Sequence, residues 1–158
     1  MGSTSDPFVI IDLEGTASRL MSYAISQADL VIVPMKEQQQ DALAALEVIQ
    51  EIHCDMKATR RVIPYAALFT QSRAAVKSRT ARHISAQFRE NENIDTFTTE
   101  IHDRDAFAAM FSIGGTVAGM SPKLVNGLDK ARENIEAFRA EVVSKLRAIR
   151  DTEKGRAA

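Results

Sequence analysis

Cysteine, tryptophan and long apolar stretches are what this sequence has least of. It contains one cysteine, Cys54, and no tryptophan, and aromatic residues make up 6% of its 158 residues. A single cysteine cannot form an internal disulfide, and no group of cysteine and histidine residues has the spacing of metal ligands. These absences exclude a disulfide-stapled or zinc-stapled fold and predict a reducing compartment.

No apolar run approaches the eighteen residues that cross a bilayer, and no charged-then-apolar leader opens the chain. We therefore expect a cytoplasmic protein without membrane attachment. Hydrophobic residues make up 45% of the chain and charged residues 26%, as in ordinary globular proteins. The length is that of one domain with a proper core.

The net charge is only −1, but the charges are distributed unevenly along the chain. Residues 56–89, here called the basic block, contain eight basic side chains and no acidic one. These are Lys57, Arg60, Arg61, Arg73, Lys77, Arg79, Arg82 and Arg89. Such a run is most often a solvated face, but it is also the pattern expected of a surface that binds nucleic-acid phosphates.

Short apolar runs alternate with amphipathic stretches along residues 8–111. The runs predict strands over residues 8–11, 30–33, 62–69 and 94–99, and the helical spacing predicts helices over 16–27, 38–56, 75–91 and a short segment ending at Phe111. Alternation of this kind implies right-handed crossovers. The predicted fold class is therefore α/β, a mostly parallel sheet flanked by helices.

The last predicted element is a long amphipathic helix over residues 121–150, opened by Ser121-Pro122. At about 42 Å it is longer than a small domain needs. We expect it to pack partly on the sheet and partly on a second copy or a partner, the alternative being a helix wrapped on its own domain. Residues 7–120 form the predicted α/β domain, 1–6 a disordered start and 151–158 a polar tail.

Asp12 is the first candidate for chemistry, because it follows the predicted strand 8–11 directly. Open α/β sheets bind ligands at the carboxyl ends of their strands. The alternative is that Asp12 only opens a turn. An acid/base hydrolase using Asp12 and Glu14 is a weaker hypothesis, since no histidine or nucleophile is tied to them in the sequence.

Two segments carry a resemblance to a known family. Residues 8–15 read Phe-Val-Ile-Ile-Asp-Leu-Glu-Gly, and residues 27–34 read Gln-Ala-Asp-Leu-Val-Ile-Val-Pro. Together they resemble the ParA/MinD family of partition ATPases, at the segment with the Walker B aspartate and the Ala-Asp-x-x-apolar-x-Pro strand that follows it. Residues 104–110, Arg-Asp-Ala-Phe-Ala-Ala-Met, look most like the VirC type, which acts in conjugative and T-DNA transfer.

The sequence contains no glycine-rich loop with the lysine and Ser/Thr that a P-loop enzyme uses for phosphates and magnesium. Gly114-Gly115-Thr116 has no lysine and follows a predicted helix instead of opening one. The chain therefore resembles the C-terminal portion of a ParA-type ATPase without its Walker A loop. We do not expect it to hydrolyse ATP alone.

The resemblance implies ATP and Mg²⁺ as cofactors. By it, Asp12 orients the magnesium water shell, Gly15 gives a backbone N–H to the γ-phosphate, and Thr70, His102 and Asp103 line the base pocket. His102 stands where the family usually has proline.

The implied partners are non-specific DNA, a second copy in a homodimer, and a partition or transfer protein. Within the basic block we expect the DNA contacts to come from Arg73, Lys77, Arg79 and Arg82. The alternative function is a nucleotide-independent DNA-binding or scaffolding module on the same fold.

Overall fold

A computed structural model describes residues 8–13 and 19–157. The predicted disordered start at 1–6, together with Glu14 and Gly15, lies outside these residues. The described elements are α1 (Arg19–Gln27), β1 (Val31–Met35), α2 (Gln39–Thr59), β2 (Tyr65–Ser72), α3 (Arg79–Arg89), β3 (Ile101–His102), α4 (Asp105–Ile113) and α5 (Leu128–Ala157).

The three strands form one parallel sheet in the order β1-β2-β3. Helices lie against both faces, which confirms the predicted α/β fold with a long C-terminal helix. Val31 N–H donates to Pro64 O, so alternate residues of β1 face β2 and Pro34 faces away from it. Its missing N–H is therefore tolerated inside the strand. No helix in the described ranges is long and apolar enough to cross a membrane.

The prediction of a buried strand at residues 8–11 is wrong. These residues have no regular secondary structure, and their side chains are exposed, Ile10 by 91%. β-branched residues favour a strand only when a neighbouring strand and a packed face are available. Within the described residues, the sheet offers this run no strand partner.

The predicted strand at residues 94–99 is also wrong. Only a single bridge forms there, between Ala67 and Thr96, and the strand lies further on, at Ile101–His102. The backbone N–H groups of Thr98 and Thr99 donate to the Glu141 carboxylate, at 2.7 and 2.8 Å. A side chain from α5 thus satisfies donors that would otherwise need a neighbouring strand.

The sheet separates two apolar layers, because successive side chains of a strand point to opposite faces. On one face, Val33 and Phe69 pack with buried side chains of α1, α2 and α3. On the other, Ala66, Leu68 and the buried Phe97 contact Phe138 and Val142 of α5. β2 is therefore covered on both sides, as the central strand of a parallel sheet requires.

Helix α3 begins later than predicted, at Arg79 instead of residue 75. The Ser78 hydroxyl accepts a hydrogen bond from Ala81 N–H at 3.0 Å and caps the helix there. Ile84 and Phe88 are buried, whereas Val76 precedes the helix and is 74% exposed, and Thr80 is exposed.

Helix α5 begins at Leu128, seven residues later than predicted, and continues to Ala157 through the segment predicted to be a polar tail. Gly127, at φ 70°, supplies the turn before it. Phe138 meets Phe97 edge to face at 5.3 Å between ring centroids. Helix α5 therefore packs partly on the sheet, as expected, through Phe138 and Val142. Its association with a second copy or a partner stays a prediction.

Candidate nucleotide edge and basic surface

The carboxyl ends of β2 and β3 bring three of the predicted site residues together. Thr70 lies opposite Ile101 in the sheet, and Ser72 lies opposite His102. Asp103 N–H donates to Ser72 O at 2.9 Å. Thr70, His102 and Asp103 thus share one edge of the sheet, the edge at which open α/β proteins bind ligands.

This edge has an irregular backbone. The register shifts between Thr70 and Ser72, and Gln71 has a φ of 52° in the left-handed region. Bulges of this kind turn a side chain away from its usual direction and are common beside ligand sites. A residue other than glycine at positive φ requires support from its surroundings, which the paired strands provide here.

Hydrogen bonds fix the position of His102. Its Nδ1 lies 2.8 Å from Ser72 Oγ, and its backbone N–H donates to Asn134 Oδ1 at 2.9 Å. The Asn134 amide in turn donates to Glu100 O at 2.7 Å. Helix α5 therefore holds the segment that carries His102, while the ring remains half-buried and the Asp103 side chain is exposed.

Thr70 and Asp12 are placed differently. The Thr70 hydroxyl donates to Met35 O at 3.3 Å and links the ends of β2 and β1. Asp12 is exposed in the irregular segment before α1, and none of its described contacts joins it to Thr70, His102 or Asp103. Gly15 lies outside the described residues.

The donor set fits magnesium only in combination with a phosphate ligand. Among the described residues, no group of three or more His, Cys, Asp or Glu side chains could hold a metal ion. Magnesium commonly keeps several waters and binds through one or two carboxylates plus the phosphates of a substrate. An exposed carboxylate such as Asp12 suits a magnesium ion that is held mainly by the phosphates of a bound ligand and by water.

Four charged side chains that the sequence patterns do not predict as a group meet at the same edge and are here called the Lys77 cluster: Glu37, Lys77, Arg89 and Glu100. Lys77 Nζ donates to Glu37 Oε1 and to Glu100 Oε1, both at 2.6 Å. Arg89 Nη2 donates to Glu100 Oε1 at 3.0 Å. The Glu37 and Glu100 side chains are only 6% and 13% exposed.

Burial and pairing act in opposite directions on these groups. Burial favours the neutral acid of Glu100, but hydrogen bonds from Lys77 and Arg89 outweigh it and lower the pKa of Glu100. Burial likewise disfavours the Lys77 ammonium, yet its hydrogen bonds to Glu100 and Glu37 raise the pKa of Lys77 above its ordinary value. Lys77 and Glu100 are therefore both charged at neutral pH.

The sequence of the basic block contains no carboxylate, but in the folded chain two of its cations form ion pairs with carboxylates. Lys77 and Arg89 are paired with acids that lie outside the block in sequence. The strand order contains a signal that could have predicted these pairs. Glu37 follows β1 closely, and Lys77 and Glu100 lie in the connections that leave β2 and enter β3.

The remaining cations separate into two surfaces. Arg73, Arg79 and Arg82, here called the α3 patch, are all exposed, and no carboxylate of the described residues forms an ion pair with them. Lys57, Arg60 and Arg61, the α2 patch, precede β2 at the opposite end of the sheet. Since β2 spans eight residues, about 26 Å separates the two ends.

Comparison with known proteins gives two matches. The family model described as ATPase MipZ matches residues 2–95. Protein ParA from Rhizobium radiobacter is 38% identical over 138 residues, which cover 87% of this chain and 61% of that protein. This chain belongs to the ParA/MinD-like ATPase family.

Family membership gives the sheet edge a chemical context. The match to ParA covers most of this chain, but the chain spans less than two thirds of the length of that protein. The resemblance of residues 104–110 to the VirC type stays a prediction, because neither match distinguishes that branch. The roles of Asp12, Gly15, Thr70, His102 and Asp103 likewise remain predictions.

Proposed function

We propose that this chain is a ParA-like P-loop ATPase domain acting in plasmid or chromosome partition or in conjugative DNA transfer, with a sequence of 158 residues that contains no Walker A loop. The observation that carries the proposal is the meeting of Thr70, His102 and Asp103 at the carboxyl edge of a parallel sheet. On this proposal the three residues line the base pocket, and Asp12 and Gly15 serve the phosphates and their magnesium ion. The bound ATP would supply the β–γ phosphoanhydride bond that ATPases of this family hydrolyse.

The proposal assigns DNA binding to the α3 patch. Arg73, Arg79 and Arg82 form no ion pair within the described residues, so their charge is available to phosphates. Lys77 was expected to join them, but both of its carboxylate partners already surround its ammonium group. Non-specific DNA, a homodimer and a cytoplasmic location complete the proposal.

Calorimetric titration of residues 1–158 with MgATP tests the nucleotide assignment. We expect weak or no binding, because most phosphate contacts in P-loop enzymes come from a loop that this sequence lacks. A longer chain that includes such a loop should bind, and Asp12→Ala should weaken its binding. Micromolar affinity of residues 1–158, abolished by Asp12→Ala, would instead indicate a different phosphate site.

The alternative is a nucleotide-independent DNA-binding or scaffolding module. It is favoured by the α3 patch, whose cations are accessible without any nucleotide in place. Filter binding of duplex DNA at low salt, with and without ATP, separates the two functions. Binding that is insensitive to ATP supports the module, whereas binding that requires ATP supports a nucleotide-assembled dimer.

A further inference from the structure

We propose that Lys77 is a positioning residue that clamps the loop 73–78 to the carboxyl edge of the sheet and thereby sets the position of the α3 patch. Its ammonium group joins three segments: the connection after β1 through Glu37, the loop before α3, and the segment before β3 through Glu100. The part of this inference that concerns DNA rests on the proposed function of the α3 patch.

The loop has little else to hold it. Residues 73–76 are all exposed, including Val76, so no apolar side chain of these four anchors the loop to the core. Lys77 is the first partly buried residue after β2, and Ser78 then caps α3. Among residues 73–77, the two ion pairs of Lys77 therefore tie the loop to the sheet edge, whereas Ile84 and Phe88 anchor α3 further along the helix.

The clamp also contacts the nucleotide edge. The Glu100 carboxylate accepts from Lys77, and the Glu100 backbone oxygen accepts from the Asn134 amide at 2.7 Å. Asn134 Oδ1 in turn accepts from His102 N–H at 2.9 Å. A polar connection thus runs from His102 through Asn134 and Glu100 to Lys77, so a ligand that displaces His102 would act on the base of α3.

Direct contact of Lys77 with a DNA phosphate is the competing interpretation. It would require both ion pairs to break and would leave Glu37, whose side chain is 6% exposed, without its partner. An unpaired buried carboxylate is strongly unfavourable. The two interpretations differ in what they predict for loop order and for the salt dependence of DNA binding.

Hydrogen exchange measured by mass spectrometry tests the clamp without DNA. In Lys77→Met, the amides of residues 81–84, which are hydrogen-bonded in the first turns of α3, should exchange about 10-fold faster than in the wild type, because removing the two ion pairs makes local opening of the helix start easier. Arg82→Met removes a cation of α3 that forms no ion pair within the described residues, and it should leave the exchange of these amides unchanged. Lys77→Arg should retain most of the protection. Glu37→Gln serves as a second, milder variant and should accelerate the same amides. Unchanged exchange in Lys77→Met and Glu37→Gln would overturn the clamp.

Filter binding of duplex DNA over a range of salt concentrations tests the link to the α3 patch. Lys77→Met should lower the affinity with an unchanged salt slope, whereas Arg82→Met should lower the slope by about one. A slope lowered by about one in Lys77→Met, with normal exchange, would make Lys77 a phosphate contact and refute the clamp. If the wild type binds no DNA, the α3 patch is refuted as a DNA surface, while the exchange measurement still decides the clamp.

Discussion

The Lys77 cluster and the α3 patch come from the same basic block but have opposite environments. Lys77 and Arg89 are paired with the largely buried Glu37 and Glu100, whereas Arg79 and Arg82 are exposed on α3 without an ion pair in the described residues. Along the sequence these cations look alike, since none has a carboxylate near it in the block. The comparison shows that charge density along a chain does not tell which charges are available to a ligand.

The two environments also differ in how much their charged groups contribute to the stability of the fold. Ion pairs between exposed side chains usually contribute less than about 1 kcal/mol, because water and salt screen them. Pairs that are largely removed from water cost much more when one partner is removed, since the other charge stays buried. The Lys77 cluster should therefore matter for stability, and the α3 patch for binding.

The largest expected effect comes from Glu100, which pairs with both Lys77 and Arg89. Glu100→Ala leaves two cations without their shared carboxylate and should lower the free energy of unfolding by about 2–4 kcal/mol, allowing for its partial exposure. Urea unfolding measures this. Glu136→Ala is the matched control, because it removes an exposed pair with Arg139 and should leave stability unchanged. Equal losses of stability in the two variants would show that the Lys77 cluster contributes no more than an exposed ion pair.

The second prediction concerns DNA binding by the α3 patch. Arg79→Glu with Arg82→Glu should weaken duplex binding equally for all sequences and lower the salt slope by about two, one for each phosphate contact removed. The control is Arg60→Glu with Arg61→Glu in the α2 patch, at the other end of the sheet. If the control lowers the slope as much, the α3 patch is not the preferred surface.

The third prediction uses pH to test the Lys77 cluster. The pKa of Glu100 is lowered, so its contribution is present above its ordinary value of 4.5 and is lost as the pH falls through the folded-state pKa. The pKa of Lys77 is raised, so its contribution is present below 10.5 and is lost as the pH rises through its folded-state pKa.

Urea unfolding of the wild type and Glu100→Gln between pH 3 and 7 checks the acid side. The difference in stability between them should shrink as the pH falls, because Glu100 becomes neutral in the wild type too. Glu141 also has a lowered pKa: burial opposes this, but the backbone N–H groups of Thr99 and Thr98 outweigh it. The stability lost when Glu141 is protonated should be lost in Glu100→Gln as well as in the wild type. Only the difference in stability between the two proteins therefore reports on Glu100.

The smallest expected effect is that of the helix cap beside the clamp. Ser78→Ala removes the hydrogen bond from Ala81 N–H and should lower stability by about 1 kcal/mol. If the clamp holds the loop independently, urea unfolding should show that Ser78→Ala and Lys77→Met each destabilise, with a smaller effect for the cap. A larger loss in Ser78→Ala would show that the cap, not the clamp, positions α3.

Sequence patterns predicted those elements whose folding signals are local. The helical spacing over residues 38–56 predicted α2, in which Ala42, Ala45 and Ile49 are buried, and the short helix predicted to end at Phe111 is α4, which ends two residues later at Ile113. The predictions of strands at 8–11 and 94–99 were wrong, because a strand forms only where a neighbouring segment can pair with it, and an apolar run does not by itself supply that partner. At residues 98–99 that neighbour is the Glu141 side chain, which lies more than forty residues away in sequence.

The candidate site divides in the same way. The sequence by itself determined the family and the α/β class, and the resemblance to that family implied that Thr70, His102 and Asp103 lie together. The pairing of β2 with β3 decided how they meet, because parallel strands bring their carboxyl ends to one edge. Only the tertiary structure decided that Lys77 and Arg89 are neutralised while Arg79 and Arg82 are exposed. Ion pairing depends on distances of a few ångströms between groups far apart in sequence, and the packing of Glu37 and Glu100 at that edge sets those distances.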